Sequence, residues 1–415
     1  MGHAKYVLLV PEGCSGRPLA DLDGLTPLEA ARTPNLDRLA AAGRVGMAAT
    51  TPPGGTCSTE STFACLLGYD PLLHPLGRAR LDVCGLVPEG DDPPIPDDWA
   101  VYRLDFVTVG DGGAITPPPC ELTLPETRRL LDELGRELRE SFDDLPELEI
   151  RPLAPGVGLL LVAEDIDGED SETVCQPLGT VFGRPRRHRH RPVGPQAEVL
   201  QSIVEASEDL FDGHEINALR EETGQPPVHQ VWVWGGGAGG PLPPFSDMQR
   251  GAEGTLIADD PAAVGLARRI GWSGLYRQKL PPAEAARHAI AALGDADLVC
   301  LYLTAPARAG YAGDLPGRIE AIESIDREIV PPLQQRLEQQ ERWRMLVAPT
   351  LSVHAQHGTH EADPVPFLLS GFGMSGVVER RYNEPEAADS DLFIEVGHEL
   401  MEYFLFGAGM RNLDR

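Results

Sequence analysis

The chain has 415 residues, 42% of them hydrophobic, and a formal charge of −29 at neutral pH. That length suffices for two domains, and no apolar run approaches the ~18 residues a membrane-spanning helix needs. The acidic balance excludes nucleic acid and anionic membranes as partners, because both require a basic surface.

Along the chain, Tyr6 to Val10 reads as a short buried strand, and a helix is predicted over Thr33 to Ala42, with Thr33 as its cap and Pro34 in its first turn. From about residue 116 the character changes: a proline run, an amphipathic helix from Pro125 to Phe142, and a strand pair near Leu148 to Pro152 and Gly156 to Val162. An acidic loop and a basic loop, Arg184 to Arg191, follow. This predicts an inserted α+β domain at 116–192 within a core formed by 1–115 and 193–415.

Val228 to Trp234 reads as a strand entering a glycine run, Gly235 to Gly240, which lacks the Lys-Ser/Thr of a phosphate loop and the spacing of a dinucleotide fingerprint. Leu298 to Leu303 and Met345 to Ala348 are further buried strands, and Pro316 to Gln340 reads as one long amphipathic helix. Strands alternating with helices predict an α/β core with a parallel sheet, whose ligands bind beyond the strands' carboxyl ends.

The seven cysteines are odd in number and without CxxC spacing, so they read as free thiols of a reducing compartment. With no basic and apolar leader, the expected location is the cytoplasm. Cys14 and Cys57 read as small packing residues before reactive thiols.

An ordered series of motifs spans nearly the whole chain: Gly16-Arg17-Pro18-Leu19, Thr26 to Ala31, Thr33 to Ala40, Leu67-Gly68-Tyr69-Asp70-Pro71, Gly77-Arg78, Ala305-Pro306, Gly313-Asp314 and Glu320 to Asp326. In these the chain resembles the archaeal-type, cofactor-independent phosphoglycerate mutases of the alkaline phosphatase superfamily. The resemblance implies an alkaline-phosphatase-like core with a smaller substrate cap, and phosphoryl transfer through a hydroxyl nucleophile assisted by two metal ions.

Residue by residue, the resemblance places the nucleophile at Thr59, with Ser58 beside it as the other candidate. The first metal carboxylate falls on Glu12 and the last histidine ligand on His360. Four further ligand positions fall on Ala307, Tyr311, Thr350 and Leu351, which are poor ligands for a divalent ion. His354 and His357 join His360 in a His-x-x-His-x-x-His series that reads either as a rebuilt metal site or as loop histidines. Arg78, Arg80, Asp105 and Arg308 are the candidate substrate-binding residues, and the arginines predict an anion-binding cleft. Leu159 stands where the family has an arginine.

Two functions follow as expectations. One is a degenerate homologue with no tightly bound cofactor that keeps a phosphorylated metabolite, an anion, a second copy or a protein partner as its ligand. The other is an active mutase using Mn²⁺, Zn²⁺ or Mg²⁺ in a rebuilt site.

Overall fold

The computed structural model describes residues 4–86, 95, 99–117, 119–141, 145–163, 173–183, 191–237, 241–354, 358–376 and 378–407. The chain divides into two compact units, Met1–Pro75 with Gly240–Arg415, and Leu76–Gly239.

The first unit is built on an eight-stranded sheet, in the order Phe393–Ile394, Arg44–Ala48, Val365–Gly371, Trp343–Val347, Lys5–Pro11, Leu298–Leu303, Gly254–Ala258 and Ser273–Tyr276. The last five of these run parallel, while Val365–Gly371 is antiparallel to both its neighbours, so the sheet is mixed where alternation predicted a parallel one. Val7, Leu8, Leu9 and Val10 are all fully buried. A strand apolar on both sides of its pleat requires helices on both faces.

The helix Pro34–Ala42 forms as predicted, but the Thr33 side chain does not cap it. The Asp326 carboxylate does so instead, accepting from Asn35 N–H at 3.0 Å and Leu36 N–H at 2.7 Å, and it also takes the Asn35 side-chain amide at 2.9 Å. A carboxylate at a helix N-terminus satisfies orphan donors and complements the helix dipole. Two motifs nearly three hundred residues apart thus stabilise one another.

The predicted long helix at 316–340 is two, Leu315–Glu328 and Val330–Leu337, divided at Ile329. Pro331 and Pro332 lack the N–H groups that a continuous helix would use, and proline fits only the first turn of a new one.

The second unit carries an antiparallel sheet in the order Ile115–Thr116, Trp99–Val109, Val157–Ala163, Leu148–Ala154, with Gln230–Trp234 also paired to Trp99–Val109. The helices Leu124–Ser141 and Ala197–Phe211 bury Leu130, Leu134, Leu200 and Ile203 against one face. The unit is wider than the 116–192 insertion read from composition, because Trp99–Val109 pairs with strands that lie on both sides of that segment. The proline run taken as its boundary is internal. No helix among the described residues is long and apolar enough to cross a membrane.

Candidate functional site

In the first unit the site residues sit beyond the carboxyl ends of the parallel strands, where the crevice of an open α/β sheet forms. Strand Lys5–Pro11 delivers Glu12, strand Leu298–Leu303 delivers Ala307 and Arg308, and strand Trp343–Val347 delivers Thr350 and Leu351.

Glu12 is 1% exposed. Its Oε2 accepts the Thr350 hydroxyl at 2.6 Å and the Thr350 backbone N–H at 3.1 Å. Its Oε1 is buried without a hydrogen bond of good geometry. Burial pushes the carboxyl up to about 7, with the Thr350 donors and the Tyr302 hydroxyl drawing it down and Asp260 adding to the rise. Thr350 is itself held by Thr50, whose hydroxyl donates to the Thr350 carbonyl at 2.6 Å.

Gly13 follows with φ of 73°, and an added Cβ would lie 2.5 Å from Ala307 Cα. Helix Ala305–Tyr311 therefore packs directly on the loop after the first strand. Ala307, Leu351 and Val353 form a small apolar cluster, with Cys57 and Tyr311 against it. The Tyr311 hydroxyl and His360 Nε2 are 2.8 Å apart, and His360 Nδ1 lies 3.4 Å from the Cys57 carbonyl. Tyr311→Phe should cost about 1 kcal/mol in urea unfolding, the net worth of one partly solvated hydrogen bond; a loss of several times that would make the pair a keystone of the loop.

Ser58 and Thr59 separate cleanly. Ser58 is the N-cap of helix Thr59–Leu66, and its hydroxyl is engaged with Ser61. Thr59 occupies the first turn, half-buried, and donates to Glu60 Oε2 at 3.2 Å. Cys57 is pushed up to about 11 by burial, against a hydrogen bond with Thr51, so its thiol stays protonated at neutral pH. Burial also raises Cys14 well above the ordinary range.

His354 and His360 do not share a helix face. His354 follows strand Ser352–Val353 and His360 begins strand His360–Glu361, which pair antiparallel; His357 lies outside the described residues. Among the described residues no three His, Cys, Asp or Glu side chains are grouped to hold an ion. Glu12 turned toward Thr350, His360 turned toward Tyr311 and the apolar cluster of Ala307, Leu351 and Val353 do not by themselves fit a pair of divalent cations, each of which needs several hard or borderline donors.

Arg308 is half-exposed and bound, its Nη1 donating to Asp259 Oδ2 at 2.8 Å and to Thr304 Oγ1 at 2.5 Å. Its charge is offset within the first unit, so it is not the spare guanidinium that its place in the sequence promised.

In the second unit, Arg78 and Asp105 belong to one buried network. Arg78 Nε donates to Asp82 Oδ1 at 3.1 Å. Arg103 Nη1 donates to Asp82 Oδ2 at 2.5 Å, while its Nε and Nη2 grip Asp105 at 2.7 and 2.8 Å. Trp234 Nε1 donates to Asp105 Oδ2 at 2.5 Å, and the Arg103 guanidinium lies 5.7 Å from the Trp234 ring centroid. Burial lowers the Arg103 pKa, but Asp105 and Asp82 outweigh it and the net shift is upward. Arg80 is turned away, donating to the Trp99 carbonyl at 2.6 Å. Arg103 and Trp234 were missed from sequence. The available signal was the period-two spacing of Arg103 and Asp105, which puts both on one face of a strand. The basic loop at 184–190 lies outside the described residues.

The fold and site define a mixed-sheet α/β scaffold with a helix that opens on Ser58 and Thr59, candidate residues beyond the carboxyl ends of the parallel strands, and a second, antiparallel unit. Residues 40–217 match the family described as 2,3-bisphosphoglycerate-independent phosphoglycerate mutase, and residues 274–407 match the metalloenzyme superfamily. The chain is 31% identical to the 2,3-bisphosphoglycerate-independent phosphoglycerate mutase of Methanothrix thermoacetophila, over 97% of this chain and 100% of that protein. A probable enzyme of the same name from Geobacter sulfurreducens is 30% identical over 97% and 99%. Among solved structures, the cofactor-independent phosphoglycerate mutase of Thermoplasma acidophilum superposes with a TM-score of 0.55 at 22% identity, covering 98% and 99% of the two chains. A Pyrococcus horikoshii protein superposes with a TM-score of 0.69, also at 22% identity, covering 98% and 97%. The chain belongs to the 2,3-bisphosphoglycerate-independent phosphoglycerate mutase family.

Proposed function

We propose that this member of the family binds a small phosphorylated acid without a dimetal centre, and serves in binding, regulation or assembly in place of phosphoryl transfer. The observation that carries this reading is how the side chains of the first unit's site are engaged with one another: Glu12 Oε2 bonded to Thr350, Tyr311 bonded to His360, and Ala307, Leu351 and Val353 packed together. Glu12 has one oxygen on Thr350 and the other buried without a good hydrogen bond, and each apolar group would have to be moved aside by an incoming hydrated ion. The second reading is a working mutase that interconverts 3-phosphoglycerate and 2-phosphoglycerate. It draws on the name its relatives carry over their whole length and on Thr59 in the first turn of its helix.

Metal analysis of protein purified without chelator, beside a mutase assay with added Mn²⁺, separates the two. A tight ion at a thousand-fold excess over its dissociation constant would stabilise the fold by about 4 kcal/mol. The expected result is no rise in Tm with micromolar Mn²⁺ and no turnover. Stoichiometric metal with turnover, both lost in His360→Ala, would establish the second reading.

A further inference from the structure

We infer that Arg103 is an anion receptor of the second unit and that Asp105 is its built-in occupant, a carboxylate that holds the receptor closed against small carboxylates and phosphates. The inference rests on the reading of this family member as a binder of small phosphorylated acids, and it names what governs that binding in the second unit.

Asp105 meets the Arg103 guanidinium through two bonds, Nε to Oδ2 at 2.7 Å and Nη2 to Oδ1 at 2.8 Å, the paired-fork arrangement with which arginine takes a carboxylate or phosphate ligand. The third nitrogen, Nη1, is anchored on Asp82, whose side chain is fully buried and also receives Arg78. The Arg103 side chain keeps 14% exposure against 3% for Asp105, so the carboxylate filling the fork is the more enclosed of the two partners.

Charge points the same way. Among the described residues of the network, Arg78 and Arg103 carry two positive charges and Asp82 and Asp105 two negative ones, so these four balance and offer an incoming anion no net attraction. Removing the Asp105 charge alone leaves one uncompensated, mostly buried guanidinium, which is costly unless an anion pairs with it. Trp234 Nε1, which donates to Asp105 Oδ2, would hold an asparagine oxygen at the same place, while the amide NH2, standing where Oδ1 accepts from Arg103 Nη2, cannot accept and leaves that prong of the fork without its carboxylate partner.

The test is calorimetric titration of wild type and Asp105→Asn with inorganic phosphate, acetate and 3-phosphoglycerate. Asp105→Asn should bind at least one of these tenfold or more tighter than wild type, and the gain should vanish in Asp105→Asn/Arg103→Gln. Preference for phosphate, for acetate, or for the compound carrying both groups tells which group the fork reads. A second arm covers instability of the asparagine variant: in Asp105→Ala, acetate should raise Tm by entering the vacated fork, while leaving the wild-type Tm unchanged. Equal affinity in wild type and Asp105→Asn, a gain that survives loss of Arg103, or an Asp105→Ala variant indifferent to acetate would each overturn the inference. None of these readouts uses metal or turnover, so the inference can fail while the reading of the first unit stands, and the reverse.

Discussion

Glu12→Gln is expected to be more stable than wild type under alkaline conditions and to lose that advantage as the pH falls. The folded pKa of Glu12 is raised from 4.5 to about 7, chiefly by burial, so the native state holds this proton more tightly than the unfolded chain does. The associated stabilisation is whole below about 4.5 and is lost as pH rises through about 7, where the folded protein must either bury a charge or open. A shift of that size corresponds to roughly 3 kcal/mol. Glutamine carries no titrating proton, and its side-chain oxygen can still accept from Thr350. Denaturant unfolding of both proteins from about pH 4.5 to about pH 8 should therefore give curves that converge at the acid end and separate by roughly 3 kcal/mol at the other. Parallel curves would mean that solvent or a cation reaches Glu12 and holds its charge.

Gly13→Ala should be among the most damaging single substitutions in the first unit. The position has φ of 73°, and a Cβ there would lie 2.5 Å from Ala307 Cα, 2.7 Å from Ala307 Cβ and 2.8 Å from Ala307 N. The left-handed conformation alone costs an alanine about 1 to 2 kcal/mol. Forcing helix Ala305–Tyr311 off the loop adds overpacking strain of about 1 to 3 kcal/mol. Gly24→Ala supplies the comparison, since its φ is 83° and nothing lies within 4 Å of an added Cβ. Chemical denaturation should show Gly24→Ala losing only the conformational part, with Gly13→Ala losing roughly 2 kcal/mol more. Equal losses would show that the helix yields freely and that Ala307 is not wedged against the first strand's loop. Ala307→Gly should rescue Gly13→Ala only in part, because the clash with the main chain of residue 307 remains.

Much of the fold was legible because local chemistry reports it. The apolar run Tyr6 to Val10 emerged as strand Lys5–Pro11, Leu298 to Leu303 coincides with its predicted bounds, and the amphipathic helix at 125–142 lies at Leu124–Ser141. Short-range signals failed where a residue's partner lies far away in sequence. Thr33 had the composition of a cap, but the bonds went to Asp326; Arg308 looked like a spare cation, but Asp259 holds it. The insertion was drawn too narrow because strand pairing, unlike composition, is set by partners on both sides of a segment.

The sequence by itself determined the family and the kinds of side chain available at each site position, because the order of motifs and the chemistry of Glu12, Thr59, Ala307, Thr350 and Leu351 are properties of the chain read in one dimension. Only the tertiary structure decided how those groups spend their bonds: Glu12 on Thr350, Tyr311 on His360, and Arg103 on Asp105. The physical reason is that a hydrogen bond or ion pair depends on distances of about 3 Å. Glu12 and Thr350 are separated by 338 positions along the chain, and no local pattern records that the sheet brings their loops together.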